Sequence, residues 1–197
     1  MKKTSKSNIE VNIIIDTREK DLDYLNKLQL DKTYGYDKTK IKDLCIRTCK
    51  PNDCEISTGD ISFEYRVSPN KTFKTSSLSI EIKKGTDFYS TLVSDYTRFK
   101  KELERAKKYE LDFYIVSDFS LKDIRTLILK LIKMRKLFVP RQLTIEQFIQ
   151  NKMIIFTTRY LEVAEKVPII YCEYENMAFV IRRLIKFNIK KNKLQYN

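Results

Sequence analysis

The sequence predicts an α/β fold, a three-layer α/β/α sandwich around a central mixed sheet, and three features carry that prediction. Val11–Ile15 is an apolar run ending in Asp16, the way a buried strand delivers a carboxylate to its exposed end. Around Glu81, alternation sends Ile80 and Ile82 to one face and Glu81 and Lys83 to the other, as on a strand with a buried side. Next come Phe88, Leu92, Tyr96, Phe99, Leu103 and Ala106, a three-four spacing that forms one buried helical stripe. Strands followed by helices on both sides favour a layered fold.

The remaining elements follow in order. Lys32–Lys42, polar around Gly35, reads as a loop, either a clamp on substrate or a disordered segment. In Ile56–Phe63, Gly59 suits a tight bend feeding Asp60 into the sheet. Phe63–Ser77 reads as an extended hairpin with its turn at Ser68–Lys71. The helix after Asp87 carries a second, polar stripe of Asp87, Thr91, Asp95, Arg98 and Glu102, and the eleven-residue separation of Asp87 and Arg98, close to three full turns, puts both on one face. Leu111–Ser117 is a short strand. Leu121–Lys136 is a helix closed by Pro140, and Thr144…Gln147 is a capping box opening another helix to about Tyr160. Pro168–Cys172 is a strand and Tyr174–Phe187 an amphipathic helix. The expected organisation is a basic tail over 1–10, one domain over 11–190 and a basic tail over 191–197.

Composition narrows the chemistry. The chain has 197 residues, 42% of them hydrophobic, enough for one domain with a substantial core. It holds 39 Lys and Arg against 26 Asp and Glu, a formal charge of +13, which favours a polyanion as partner. An AT-rich genome would inflate lysine as well. Lys100, Lys101, Arg105, Lys107 and Lys108 crowd one helix, and a second basic cluster spans Arg182–Lys193. No apolar run reaches the ~20 residues of a membrane span, and the N-terminus has no apolar signal-peptide core. A cytoplasmic location is therefore expected. There is no histidine, which excludes histidine-based triads, acids and metal nucleases. Cys45, Cys49, Cys54 and Cys172 contain no CxxC pair. Core or strand thiols in a reducing compartment are the expected reading, ahead of structural zinc.

Asp60, Glu81, Lys83 and Asp87 then stand out. Hard carboxylate oxygens beside an amine are the groups needed to hold a divalent ion and hydrolyse a phosphodiester. The segments IIIDTREK, ISTGDIS, IEIKKGTD and YTRFKKELERA resemble the nuclease domain of the XPF family, a branch of the PD-(D/E)xK, restriction-endonuclease-like superfamily. The resemblance runs roughly from Val11 to Asp118. The family pattern of glycine-aspartate, glutamate-arginine-lysine and aspartate falls on Gly59, Asp60, Glu81, Ile82, Lys83 and Asp87. The first-strand aspartate falls on Asp16 and the helical arginine on Arg98.

The resemblance implies a restriction-endonuclease-like fold and a Mg²⁺-dependent endonuclease, with Mn²⁺ able to substitute, acting on branched or junction DNA. Asp60, Glu81 and the Ile82 carbonyl would hold the ion, with Asp16 and Asp87 beside it or on a second ion. Lys83, its pKa lowered by the metal, would help deprotonate the attacking water. Arg98, Lys84, Arg18, Lys101 and Arg105 are the expected DNA contacts, and Tyr34, Tyr36 and Tyr89 are candidates for base stacking.

The chain departs from the family in three ways, one of them a long gap between Asp60 and Glu81. Ile82 replaces the usual arginine, removing a positive charge. The glycines are Gly35, Gly59 and Gly85 only, so no helix-hairpin-helix module is expected after the domain, an architecture that suggests a phage or other mobile element. Homodimerisation is left open. The alternatives are a catalytically inactive nuclease-fold DNA-binding protein or partner subunit, and a basic binding module in which the motif arose by chance.

Overall fold

The computed structural model describes residues 9–16, 41–49, 58–66 and 70–194. In it, period-two alternation decides what each strand buries. Strands β1 (Ile9–Asp16), β3 (Ile61–Arg66) and β5 (Leu78–Lys83) put Val11, Ile13, Ile15, Ile61, Phe63, Tyr65, Leu78, Ile80 and Ile82 into one core. Helix α5 (Met177–Leu194) covers that face with Met177, Ile181, Leu184, Ile185 and Ile189. The opposite face of β6 (Asp112–Ser117) gives Phe113 and Ile115 to a second core. That core is shared with α1 (Gly85–Val93), α2 (Tyr96–Lys108), α3 (Ile124–Lys133) and α4 (Ile145–Ala164). Phe156 of α4 is fully buried there, with ring contacts to Phe88, Tyr89 and Phe119.

Among the described residues, a mixed seven-stranded sheet lies between these layers in the order β2-β1-β3-β5-β6-β7, with β4 (Lys74–Thr75) pairing β3. β1 runs parallel to β2 (Ile41–Cys49) and antiparallel to β3, and β3 is antiparallel to β5. β5, β6 and β7 (Ile169–Tyr171) are mutually parallel. The expected α/β sandwich with helices on both faces is what the chain adopts.

Several elements match their predicted places. Where the 63–77 hairpin is expected, β3 pairs antiparallel with β4 and with β5, and residues 67–69 of its expected turn lie outside the described residues. The Thr144 side chain accepts from the Gln147 N–H, and the Gln147 side chain accepts from the Thr144 N–H, closing the capping box. Short 3₁₀ turns at Leu121–Asp123 and Tyr174–Asn176 precede α3 and α5. β1 begins at Ile9 and α5 runs to Leu194, past both expected tail boundaries.

Two elements differ from those expected. β2 occupies Ile41–Cys49, overlapping the end of the expected 32–42 loop; the rest of that loop lies outside the described residues. The helix expected from Asp87 to Ala106 is two helices, divided at Ser94 and Asp95. Ser and Asp are weak in helix interiors because their side chains compete for the backbone. From α4, the Arg159 guanidinium donates to the carbonyls of Leu92 and Val93 at 2.7 and 2.9 Å. It thereby satisfies groups that the end of α1 leaves without helical partners.

A candidate catalytic edge of the sheet

The end of β1, the start of β3 and the end of β5 meet at one edge, because Ile15 pairs with Ile61 and Ile61 with Ile80. Gly59 turns the chain into β3 with φ +87°, a conformation that disfavours a side chain. A Cβ there would lie 2.2 Å from Ser79 Oγ. That hydroxyl is already committed, donating to the Thr58 carbonyl at 2.6 Å. Asp60 is then fastened to β5 twice. Its N–H donates to the Ile80 carbonyl at 2.9 Å, and its Oδ2 accepts from the Ile82 N–H at 2.8 Å.

Glu81 and Lys83 project from β5 opposite to Ile80 and Ile82, as alternation requires. Glu81 is only 7% exposed, and its Oε1 lies 2.6 Å from the Lys83 ammonium. The ammonium also sits 5.8 Å from the centroid of the Phe99 ring on α2. Burial alone would pull the lysine pKa down. The Glu81 charge and hydrogen bond, with the charges of Asp60 and Glu102, outweigh it and raise the pKa above its ordinary value. The surrounding residues by themselves therefore hold Lys83 as a cation.

The other predicted site residues are dispersed. Asp16 ends β1 at this edge, and its side chain is outside the described residues, as is Arg18. Asp87 is exposed in the first turn of α1. Its charge bears on Asp118, whose carboxyl is pushed up chiefly by burial, against the pull of the Gly85 N–H and Lys84. Arg98, Lys101 and Arg105 are exposed on α2. Lys84 faces the other layer, its ammonium 5.3 Å from the Tyr174 ring. Ile82 is buried against α5, so a longer cation at 82 would start from the face opposite to Lys83.

Tyr89, expected as a stacking residue, is instead 2% exposed inside the second core, stacked on Phe156. Tyr34, Tyr36 and Cys54 fall outside the described residues, as do the side chains of Cys45 and Cys49. Cys172 is buried, and burial pushes its thiol up to about 11. Glu102 is the residue the sequence reading undervalued. It stood in the polar stripe of the helix without a role, yet its charge acts on Lys83.

Among the described residues, no three acidic, cysteine or histidine side chains converge as a complete metal cage. Two hard carboxylates, Asp60 and Glu81, are brought to this edge. That donor set fits Mg²⁺, which keeps several waters and is commonly bound through one or two carboxylates together with substrate phosphate. It does not suit soft, thiolate-seeking ions.

The fold and this edge define an α/β domain bearing an acidic-lysine site. No protein-family model matches the chain, and neither does any curated protein sequence. Solved structures to which it is similar include XPF from Aeropyrum pernix, at 14% identity and TM-score 0.47, covering 94% of this chain and 69% of that one. XPF from Aeropyrum pernix in complex with DNA is another, at 14% identity and TM-score 0.47, covering 91% and 66%. Among the described residues no helix is long and apolar enough to cross a membrane.

Proposed function

We propose that the chain is a metal-dependent endonuclease that hydrolyses phosphodiester bonds in DNA, with branched or junction DNA as its substrate. The observation that supports it is the fastening of Asp60 onto β5, beside an ion pair of Glu81 and Lys83 on the face away from the α5 core. Asp60 and Glu81 would hold Mg²⁺, with Asp16 and the Ile82 carbonyl as further oxygen donors. The bound ion would supply Lewis-acid polarisation of the phosphoryl oxygen and a more acidic water. Lys83, held as an ammonium, would place positive charge where negative charge grows on the phosphorane. Such stabilisation counts most in a partly dehydrated site. Glu81 orients that ammonium, and the Phe99 ring shields it from solvent. The exposed Arg98, Lys101 and Arg105 on α2 would meet DNA phosphates outside the site.

The test is cleavage of labelled flap, fork, Holliday-junction and linear DNA with Mg²⁺ or Mn²⁺. Wild type is compared with Asp60→Asn and with the paired change Glu81→Gln/Lys83→Met, which keeps side-chain volume. Metal-dependent cutting by the wild type, lost in both variants while the fold persists, is the expected result. Binding without cutting under either metal would overturn the enzymatic reading and leave a non-catalytic DNA-binding protein.

A further inference from the structure

Helix α5 uses its two sides differently. Its inner side is spent on the sheet through Ile181, Leu184, Ile185 and Ile189. Its outer side carries Phe179 and Phe187, 42% and 59% exposed, interleaved with Arg182, Arg183, Lys186 and Lys190. No acidic residue occurs anywhere from Met177 to Leu194. At 100° per residue, Phe179, Arg183, Phe187 and Lys190 form one continuous stripe. The Arg183 guanidinium lies 5.1 Å from the Phe179 ring centroid. The two rings are eight positions apart, about 12 Å along the axis.

The helix also has a direction relative to the catalytic edge. The 3₁₀ turn just before it holds Tyr174 against Lys84, the neighbour of Lys83. Its far end is tied to the opposite end of the sheet. Asn188 donates to Asp112 and accepts from Ser76, and Lys191 donates to Asp112. A stripe along α5 therefore starts beside the catalytic edge and leads away from it for about 27 Å.

We infer that this stripe is a binding track for single-stranded nucleic acid. Phe179 and Phe187 stack on unpaired bases, and the cations between them meet the phosphates. Cations alone would suit duplex as well as single strand. Exposed aromatic rings spaced between them suit unstacked bases, because every base has a π-face. An anionic membrane fits poorly, since the apolar side of the helix is already buried and two rings offer little area to lipid. The inference rests on the endonuclease reading for its purpose, which is to hold the single-stranded arm of a junction whose bond lies at the Asp60–Lys83 edge.

The experiment measures binding of full-length protein to fluorescent oligo-dT, to a duplex of equal length and to phosphatidylserine vesicles. Wild type is compared with Phe179→Ala/Phe187→Ala and with Arg183→Ala. All changes are on exposed positions, and circular dichroism checks that the fold persists. The double variant should bind oligo-dT about ten- to a hundredfold more weakly, with duplex affinity nearly unchanged. Arg183→Ala should flatten the salt dependence by about one counterion. Unchanged oligo-dT affinity in the double variant, an equal loss on duplex, or vesicle binding that depends on the two rings would each overturn the track. These outcomes are separable from catalysis. If no DNA is cut but oligo-dT binding still depends on the rings, the endonuclease reading fails and the track stands. If junctions are cut while the double variant binds oligo-dT as wild type does, the track fails and the endonuclease stands.

Discussion

The two faces of β5 belong to one strand and obey different rules. Leu78, Ile80 and Ile82 enter a core built from aliphatic and aromatic side chains. Ser79, Glu81 and Lys83 occupy the other face, where Ser79 and Glu81 are as buried as the core yet polar. Burial without polarity yields stability at roughly 25 cal/mol per Å² of apolar area. Burial with polarity costs stability unless every group finds a partner. Here partners exist, the Thr58 carbonyl for Ser79 and Lys83 for Glu81. The difference separates a surface that holds the molecule together from one that keeps charges buried only by pairing them.

Substitutions on the two faces should part company in their readouts. The largest effect is expected from Asp60→Asn, which should lower the rate of DNA cleavage at least about a hundredfold, as loss of a charged group at a reacting centre does. Thermal unfolding without metal should barely change, because an amide oxygen can still accept from the Ile82 N–H. A loss of cleavage matched by a large fall in melting temperature would place Asp60 with the stabilising face instead.

Lys83→Met should come next. It removes the ammonium that lies 2.6 Å from Glu81 Oε1 in a site 7% exposed, and breaking a buried pair costs about 3–5 kcal/mol. The paired change Glu81→Gln/Lys83→Met removes both charges and should recover most of that loss. A denaturant double-mutant cycle reads the coupling directly. Ile80→Ala, on the other face of the same strand, should cost about 2–5 kcal/mol through the cavity it leaves. It should leave cleavage per folded molecule unchanged. Gly59→Ala sits at the junction of both behaviours. Its positive φ and the close Ser79 hydroxyl predict a loss of about 1–3 kcal/mol, together with slower cleavage as Asp60 shifts. Slower cleavage without destabilisation would show that Asp60 does not depend on this turn.

How much of this was legible in the sequence follows from the reach of each signal. The split of β5 was legible because period two is local: Ile80 and Ile82 against Glu81 and Lys83 needs no knowledge of the neighbours. Gly59 was legible for the same reason. The break at Ser94 was not, since Leu92 and Tyr96 are four apart and their spacing runs smoothly across it. The residue that completes the break, Arg159, arrives from a helix far along the chain. That break is also why a face shared by Asp87 and Arg98 could not be projected through three turns, and why Glu102 rather than Asp87 acts on Lys83. β2 escaped because Lys42, Asp43 and Arg47 interrupt its apolar residues, and its place in the sheet is set by pairing with β1.

The smallest expected effect belongs to an ion pair that contrasts with Glu81 and Lys83. Arg125 on α3 forks onto Glu146 on α4, with Nη1–Oε1 at 2.6 Å and Nη2–Oε2 at 2.9 Å, both side chains half exposed. The hydrogen bonds from Arg125, and its charge, lower the Glu146 pKa below its ordinary value. A carboxylate depressed in the folded state contributes stability that is complete above its unfolded pKa. That contribution is lost as pH falls through the folded one. Acidification from neutrality should thus leave this pair intact until below the usual glutamate range, near 4.3. A side-chain NMR titration should show the Glu146 midpoint low in the wild type and restored toward the ordinary value in Arg125→Ala. Arg125→Lys should restore it in part, because a lysine cannot make the two-pronged contact. Water already solvates both partners, so stability at neutral pH should hardly respond to either variant. A response as large as that of Lys83→Met would mean that burial is not what separates the two pairs.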